Sequence, residues 1–340
     1  MMKFGAEHVN LNGRSILVTG GTGSFGNAFV RSVLQRYKPA RVVVFSRDEA
    51  KQYEMALALE YEKYHGKELR FFIGDVRDRD RLQLAMRGID TVIHAAAMKH
   101  VPAAEYNPFE CIKTNLNGAE NVVNAALDNN VERVLALSTD KAVNPINLYG
   151  ASKLAADKIF VAANNLVGDR STRFSVVRYG NVVGSRGSVV PLFRRLIESG
   201  AEELPITDPR MTRFFITLSE GVDFVLSSLP MMEGGEIFLP KIPSLKITDL
   251  AKFMAPELSQ NTIGIRPGEK LHEVLISRDS SINTVEYADR YVVEPDLAFW
   301  SVGTHEAKGA KPVPDEFHYA SDTNEDWLDK PRLDAMLAES

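Results

Sequence analysis

Ser15-Ile16-Leu17-Val18-Thr19-Gly20-Gly21-Thr22-Gly23-Ser24-Phe25-Gly26 decides the fold. An apolar run of strand character ends in glycines at 20, 23 and 26. Beyond it Phe25, Phe29, Val30, Val33 and Leu34 recur at helical spacing. Such a turn brings free backbone N–H groups and the positive end of a helix dipole up to a pyrophosphate. A glycine triplet alone is a weak sign, and an ordinary glycine turn is the alternative. Its place after the first strand of an alternating chain gives it weight. Gly20, Thr22, Gly23, Ser24, Phe25 and Gly26 are therefore expected to bind a dinucleotide.

Outward from this loop, short β-branched runs alternate with helical segments as far as about Tyr179. The expected strands are Ser15–Thr19, Arg41–Ser46, Leu69–Ile73, Thr91–His94, Arg133–Ser138 and Phe174–Arg178. Leu116, Val122, Val123, Ala126 and Leu127 mark another helix. This is the pattern of an α/β, Rossmann-like, doubly wound parallel sheet. Residues 14–180 are read as the cofactor domain carrying the catalytic residues. Residues 181–340, where Gly, Pro and Arg-rich loops separate shorter elements, are read as a smaller mixed α/β substrate lobe, some of whose segments return to the sheet. A helix is expected over Trp327–Leu337.

The chain of 340 residues is 44% hydrophobic and 25% charged, which suits one large core and a smaller lobe. A net charge of -5 argues against nucleic acid as the main partner. The single cysteine, Cys111, excludes an internal disulfide and fits a reducing compartment; it is read as structural, at the start of a helix. No cluster has metal-ligand spacing, so no metal site is expected. Met1–Arg14 lacks an apolar signal-peptide core, and no apolar run is long enough to span a membrane. The cytoplasm is the expected location.

At the end of the second strand stands Ser46-Arg47-Asp48. Arg47 precedes the acid that would hold a ribose 2′-hydroxyl in an NAD enzyme, and a guanidinium there can pair with a 2′-phosphate. NADP is favoured; the alternative is a solvated Arg47 with Asp48 on the ribose of NAD. Asp75 and Val76, after the third strand, are placed to flank an adenine. Ala95 and Ala96, after the fourth, are small enough to admit a cofactor backbone, and Lys99 is assigned to both cofactor and substrate.

Tyr149-Gly150-Ala151-Ser152-Lys153 puts Tyr and Lys four apart, on one face of a helix expected to begin near Pro145. The ammonium lowers the phenol pKa, and the phenolate takes a hydroxyl proton as hydride leaves the same carbon. Such a pair is a chance match in many helices; with the glycine loop and Ser138-Thr139 it becomes specific.

These motifs resemble the extended short-chain dehydrogenase/reductases, which modify nucleotide sugars. Ser138-Thr139-Asp140-Lys141-Ala142, Asn144-Pro145-Ile146-Asn147, Arg178-Tyr179-Gly180-Asn181-Val182 and Arg266-Pro267-Gly268-Glu269-Lys270 look closer still to the inverting UDP-N-acetylglucosamine 4,6-dehydratases of pseudaminic acid biosynthesis. The likeness extends to Ser321-Asp322-Thr323-Asn324. Retaining dehydratases generally carry Asp-Glu where this chain has Asp140-Lys141.

The resemblance implies that Tyr149, with Thr139 and Lys153, takes the O4 proton as hydride passes from C4 to NADP, giving a 4-keto sugar. Lys141 then removes the C5 proton while protonated Asp140 donates to the leaving C6 hydroxyl, and hydride returns to C6. A proton delivered to the opposite face of C5 gives the inverted sugar. For Lys141 to act as a base its pKa must fall, by desolvation or by cations such as Lys153 or Lys99. The resemblance also assigns Asn181, Arg213 and Arg266 to the substrate diphosphate and Glu269 to its ribose, and implies a homo-oligomer, a dimer or hexamer. The rival readings are a UDP-hexose 4-epimerase, which needs no Lys141, a retaining dehydratase, and an NADP-binding regulator without activity.

Overall fold

The computed structural model describes residue 4 and residues 9–59, 68–185 and 187–339. Much of the amino-terminal stretch considered for a signal peptide lies outside them.

Six strands form where the alternation places them: β1 (Ser15–Thr19), β2 (Arg41–Ser46), β3 (Leu69–Ile73), β4 (Thr91–His94), β5 (Arg133–Thr139) and β6 (Arg173–Tyr179). β5 and β6 run slightly beyond the expected limits, because their ladder pairs Arg133 with Arg173 and Thr139 with Tyr179. The six are parallel, in the order β3-β2-β1-β4-β5-β6. The order reverses between β1 and β4, and a crevice opens beyond the carboxyl ends of the strands at such a switch point. Val42–Phe45, Val92, Ile93, Val134 and Leu135 are almost wholly buried, as expected for parallel strands covered on both faces.

Residues beyond 181 enter this sheet too. The strand Ile237–Pro240 pairs parallel with β6, and Arg290–Val293, Thr284–Glu286 and Lys311–Pro312 continue it antiparallel. A second apolar cluster, including Phe193, Leu204, Met211, Phe215, Leu250 and Leu333, lies entirely in the carboxyl-terminal half. The last helix, Lys330–Ala338, starts later than Trp327 because Trp327 bridges to Ser244 and Asp329 caps the helix, its carboxylate accepting from Arg332 N. Among the described residues no helix is long and apolar enough to cross a membrane.

Two helices differ from the sequence reading. The Tyr149 helix spans Leu148–Ala162, because Asn147 Oδ1 accepts from Gly150 N and caps it there. Cys111 lies inside the short helix Pro108–Ile112, buried, and the chain continues through a π-helical turn, Lys113–Asn117, into the helix Gly118–Asp128.

Candidate active site

The glycine loop closes tightly on the strand beside β1. Gly20 has φ +64°, and a Cβ there would lie 2.8 Å from Ala96 N; at Gly26 it would lie 2.5 Å from Gly21 Cα. Ala95 N donates to Thr19 O and Ala96 N to Thr19 Oγ1. The helix Ser24–Arg36 starts at Gly23 with no side-chain cap and no acid in its first turn. Its leading N–H groups are left for an anion. Residues whose side chains would fill this cradle are absent, so it fits the pyrophosphate of a dinucleotide.

At the end of β2 both Asp48 oxygens are occupied: Oδ1 accepts from Lys51 N at 3.0 Å and Oδ2 pairs with Lys51 Nζ at 2.9 Å. Arg47 is more exposed and lies 3.5 Å from Asp75. Burial works upward on Asp75, but Arg77, bonded to it through two nitrogens, holds its carboxyl below the usual range. Val76 is buried, and its carbonyl accepts from Asn121. Lys99 stands exposed beyond β4.

The Tyr149 helix is fixed to the sheet at several points. Asp157, one turn beyond Lys153, accepts from Ser138 Oγ at 2.8 Å and from Arg178 at 3.0 Å, all three nearly inaccessible. At its amino end a Cβ on Gly150 would lie 2.3 Å from Lys141 O, so the helix packs directly on the turn Asp140–Ala142. Burial pushes the Tyr149 phenol up to about 12, opposed by the charge of Lys141 and a hydrogen bond with Thr139. The cation acting on the phenol is thus Lys141, and this departs from the sequence reading, which gave that role to Lys153. The Lys153 amine instead donates to Leu137 O at 2.6 Å, and burial lowers its pKa.

Asp140 is fully buried. Its Oδ1 accepts from Thr139 Oγ1 at 3.0 Å and from Lys141 Nζ at 3.1 Å, while Oδ2 has no partner among the described residues. Lys141 Nζ also lies 3.2 Å from Glu273 Oε1 and 3.4 Å from Asn181 Oδ1. Burial pulls the amine down, yet Asp140 and Glu273 outweigh it and hold it above the usual lysine range. The expectation that desolvation or nearby cations depress this pKa is therefore corrected: two carboxylates face the amine.

The segment Arg266–Glu273 lies along the same edge. Asn147 Nδ2 donates to Gly268 O at 2.7 Å, and Lys270 Nζ donates to Val143 O at 2.5 Å. Arg266 is well exposed and pairs with Glu269, one of whose oxygens is buried without a partner among the described residues. Arg213 is different. Its guanidinium is buried and donates to the carbonyls of Thr212, Lys270 and Leu271, with Glu273 3.7 Å from Nε. With most of its N–H groups taken, it works as a staple for this segment, which differs from the open phosphate cation expected.

The family model described as polysaccharide biosynthesis protein matches residues 16–295. The chain belongs to this family. A UDP-N-acetylglucosamine 4,6-dehydratase (inverting) of Campylobacter jejuni strain 81-176 is 57% identical over 95% of this chain and 96% of its own. The solved structure of Pen from Bacillus thuringiensis superposes with a TM-score of 0.87 at 35% identity, covering 98% of this chain and 99% of that one. The dTDP-glucose 4,6-dehydratase DesIV of Streptomyces venezuelae, solved with NAD and TYD bound, gives 0.64 at 26% identity over 76% and 86%. A nicotinamide cofactor is thus supported for this member of the polysaccharide biosynthesis family.

Sequence reasoning missed three groups in this family member's site. Asp157 was legible in principle, as the next residue on the Tyr149/Lys153 face. Asn115, in the π-helical turn, binds both main-chain polar atoms of Met98 and Ser152 Oγ. A widened turn of this kind often marks a functional region, but no residue pattern announces it. Glu273 belongs to a loop far along the chain, and only the fold brings it to Lys141.

Proposed function

We propose that the protein is an NADP-dependent UDP-N-acetylglucosamine 4,6-dehydratase that inverts C5, a hydro-lyase. The observation that carries this reading is the 3.1 Å contact between Lys141 Nζ and the buried Asp140 carboxylate, beside Tyr149. Passing one proton along that contact turns an ammonium and a carboxylate into a neutral amine and a carboxylic acid, with no change in net charge. Base and acid are made together.

Tyr149 accepts the O4 proton, and Lys153 and Thr139 hold the reacting end. A nicotinamide held at the Gly20–Gly26 loop would supply the acceptor for the C4 hydride and the donor for C6. The 4-ketone acidifies the C5 hydrogen, which Lys141 removes. Asp140 protonates the C6 hydroxyl, the C6–O bond breaks and water leaves a C5=C6 double bond. Protonation of C5 on the opposite face gives UDP-2-acetamido-2,6-dideoxy-β-L-arabino-hex-4-ulose. The orphaned Asp140 Oδ2 suits a partner hydroxyl that arrives with the substrate.

The NADP choice rests on Asp48, whose oxygens are engaged with Lys51, and on exposed Arg47. Asn181 and Arg266 are the proposed diphosphate ligands and Glu269 the ribose acceptor, in a substrate lobe formed mainly by residues 181–340. A cytoplasmic homo-oligomer acting at the first step of pseudaminic acid synthesis completes the reading. Incubation with UDP-N-acetylglucosamine in deuterated water, followed by NMR, tests it: loss of the C6 hydroxyl, deuterium at C5 and inverted configuration are expected. A sugar unchanged, or altered only at C4 as a 4-epimerase would leave it, overturns it.

A further inference from the structure

An ammonium has three N–H donors. Lys141 finds three oxygen acceptors within 3.4 Å, each on a different segment: Asp140 Oδ1 at 3.1 Å, Glu273 Oε1 at 3.2 Å and Asn181 Oδ1 at 3.4 Å. If the proton shared with Asp140 leaves the amine, two N–H groups remain, and Glu273 and Asn181 are the acceptors left to hold them.

Glu273 is itself built into place. It is 2% exposed, and a carboxylate that deep is stable only among compensating cations. Besides Lys141 these are Arg213, 3.7 Å from Oε1, and Lys270, 3.8 Å from Oε2. Arg213 is anchored to backbone carbonyls and Lys270 to Val143 O, so neither can follow a moving charge. Ser321 accepts from Glu273 N while bonding Thr212, so the Ser321–Asn324 motif buttresses this loop. Merely neutralising Arg213 would not require Glu273 to lie nearer to Lys141 than to either other cation.

We propose that Glu273 is a positioning residue for the elimination step: its carboxylate holds the Lys141 amine in place while the proton passes to Asp140. This rests on the acid–base roles proposed above for that pair. Glu273 also favours the charged form of Lys141. Its loss therefore lets the shared proton leave at lower pH, and the alkaline limb of the kcat profile moves down.

The test is Glu273→Gln in the full chain, with UDP-N-acetylglucosamine and NADP. Expected are an ~10- to 100-fold fall in kcat with little change in KM, as for a misplaced reacting group, and an alkaline limb lower by about 1 to 2 pH units. Reduction of the cofactor in a single turnover should survive, and Glu273→Asp should restore the limb. An unchanged kcat and limb, or a fall in turnover with the limb unmoved, overturns the role. Should Glu273→Gln not fold, Lys270→Met is used instead: Glu273 then bears more strongly on Lys141, and the limb should rise; an unmoved limb overturns it. Lys141→Met separates the two readings. Full turnover in that variant removes the acid–base assignment, whereas an inactive Lys141→Met beside an unaltered Glu273→Gln removes only the Glu273 role.

Discussion

Arg178 donates to Asp157 across 3.0 Å, tying β6 to the helix that carries Tyr149 and Lys153. Ser138 at the end of β5 shares the same carboxylate oxygen. Removing one partner of a buried ion pair typically costs about 3–5 kcal/mol, because the other charge is left unpaired. Asp157→Ala should show such a loss in chemical denaturation. A fall of less than about 1 kcal/mol would show that the clamp is dispensable.

Lys141→Met removes the amine but keeps a side chain of similar reach. It should retain cofactor affinity and C4 oxidation while C5 proton exchange with solvent, read by deuterium incorporation, disappears. Because Lys141 also lowers the Tyr149 phenol pKa, the variant should need higher pH for the oxidation half-reaction.

Strands β1, β2 and β4 were legible because a parallel strand buried on both faces is written as a near-continuous apolar run. The Tyr149/Lys153 pair was legible because helical spacing alone puts the two on one face. The electrostatics around them were not. Burial pulls the Lys141 pKa down and the adjacent Asp140 raises it, but Glu273 adds to that rise, and the carbonyls of Lys270 and Leu271 set the availability of Arg213, contacts that exist only once the second half of the chain folds back. Arg213 reads as a free phosphate cation in sequence because the carbonyls that engage its guanidinium, those of Lys270 and Leu271, lie far along the chain.

Arg47 decides the cofactor if its guanidinium meets a 2′-phosphate. A charge-assisted hydrogen bond is worth roughly 1.5–3 kcal/mol, so Arg47→Ala should weaken NADP by about 10- to 100-fold and leave NAD almost unaffected in titration calorimetry. Equal loss for both would move the discrimination elsewhere.

Two arginines assigned to one ligand should behave differently. Arg266 is exposed, so Arg266→Ala should keep stability within about 0.5 kcal/mol and weaken UDP-sugar binding without touching NADP. Arg213→Ala leaves buried carbonyls without their donor and takes one of three cations from Glu273, so it should lower the denaturation midpoint as well as activity. Equal stability of the two variants would contradict the staple role of Arg213.

His94 ends β4 with its Nδ1 2.8 Å from Thr19 Oγ1, under the glycine loop. Burial pushes its pKa down to about 3, with the charge of Lys153 acting the same way. The unfolded chain, whose His titrates near 6.5, therefore binds more protons than the folded one between these values. The stability due to neutral His94 is complete above pH 6.5 and is lost progressively as pH falls toward 3. The slope from this group is at most about 1.4 kcal/mol per pH unit. His94→Asn, which keeps a polar group beside Thr19 but cannot titrate, should be less stable than the parent at pH 7. Its stability should also fall less steeply between pH 6.5 and 5 in urea titrations. Parallel curves for the two proteins would mean that His94 is not the group resisting protonation there.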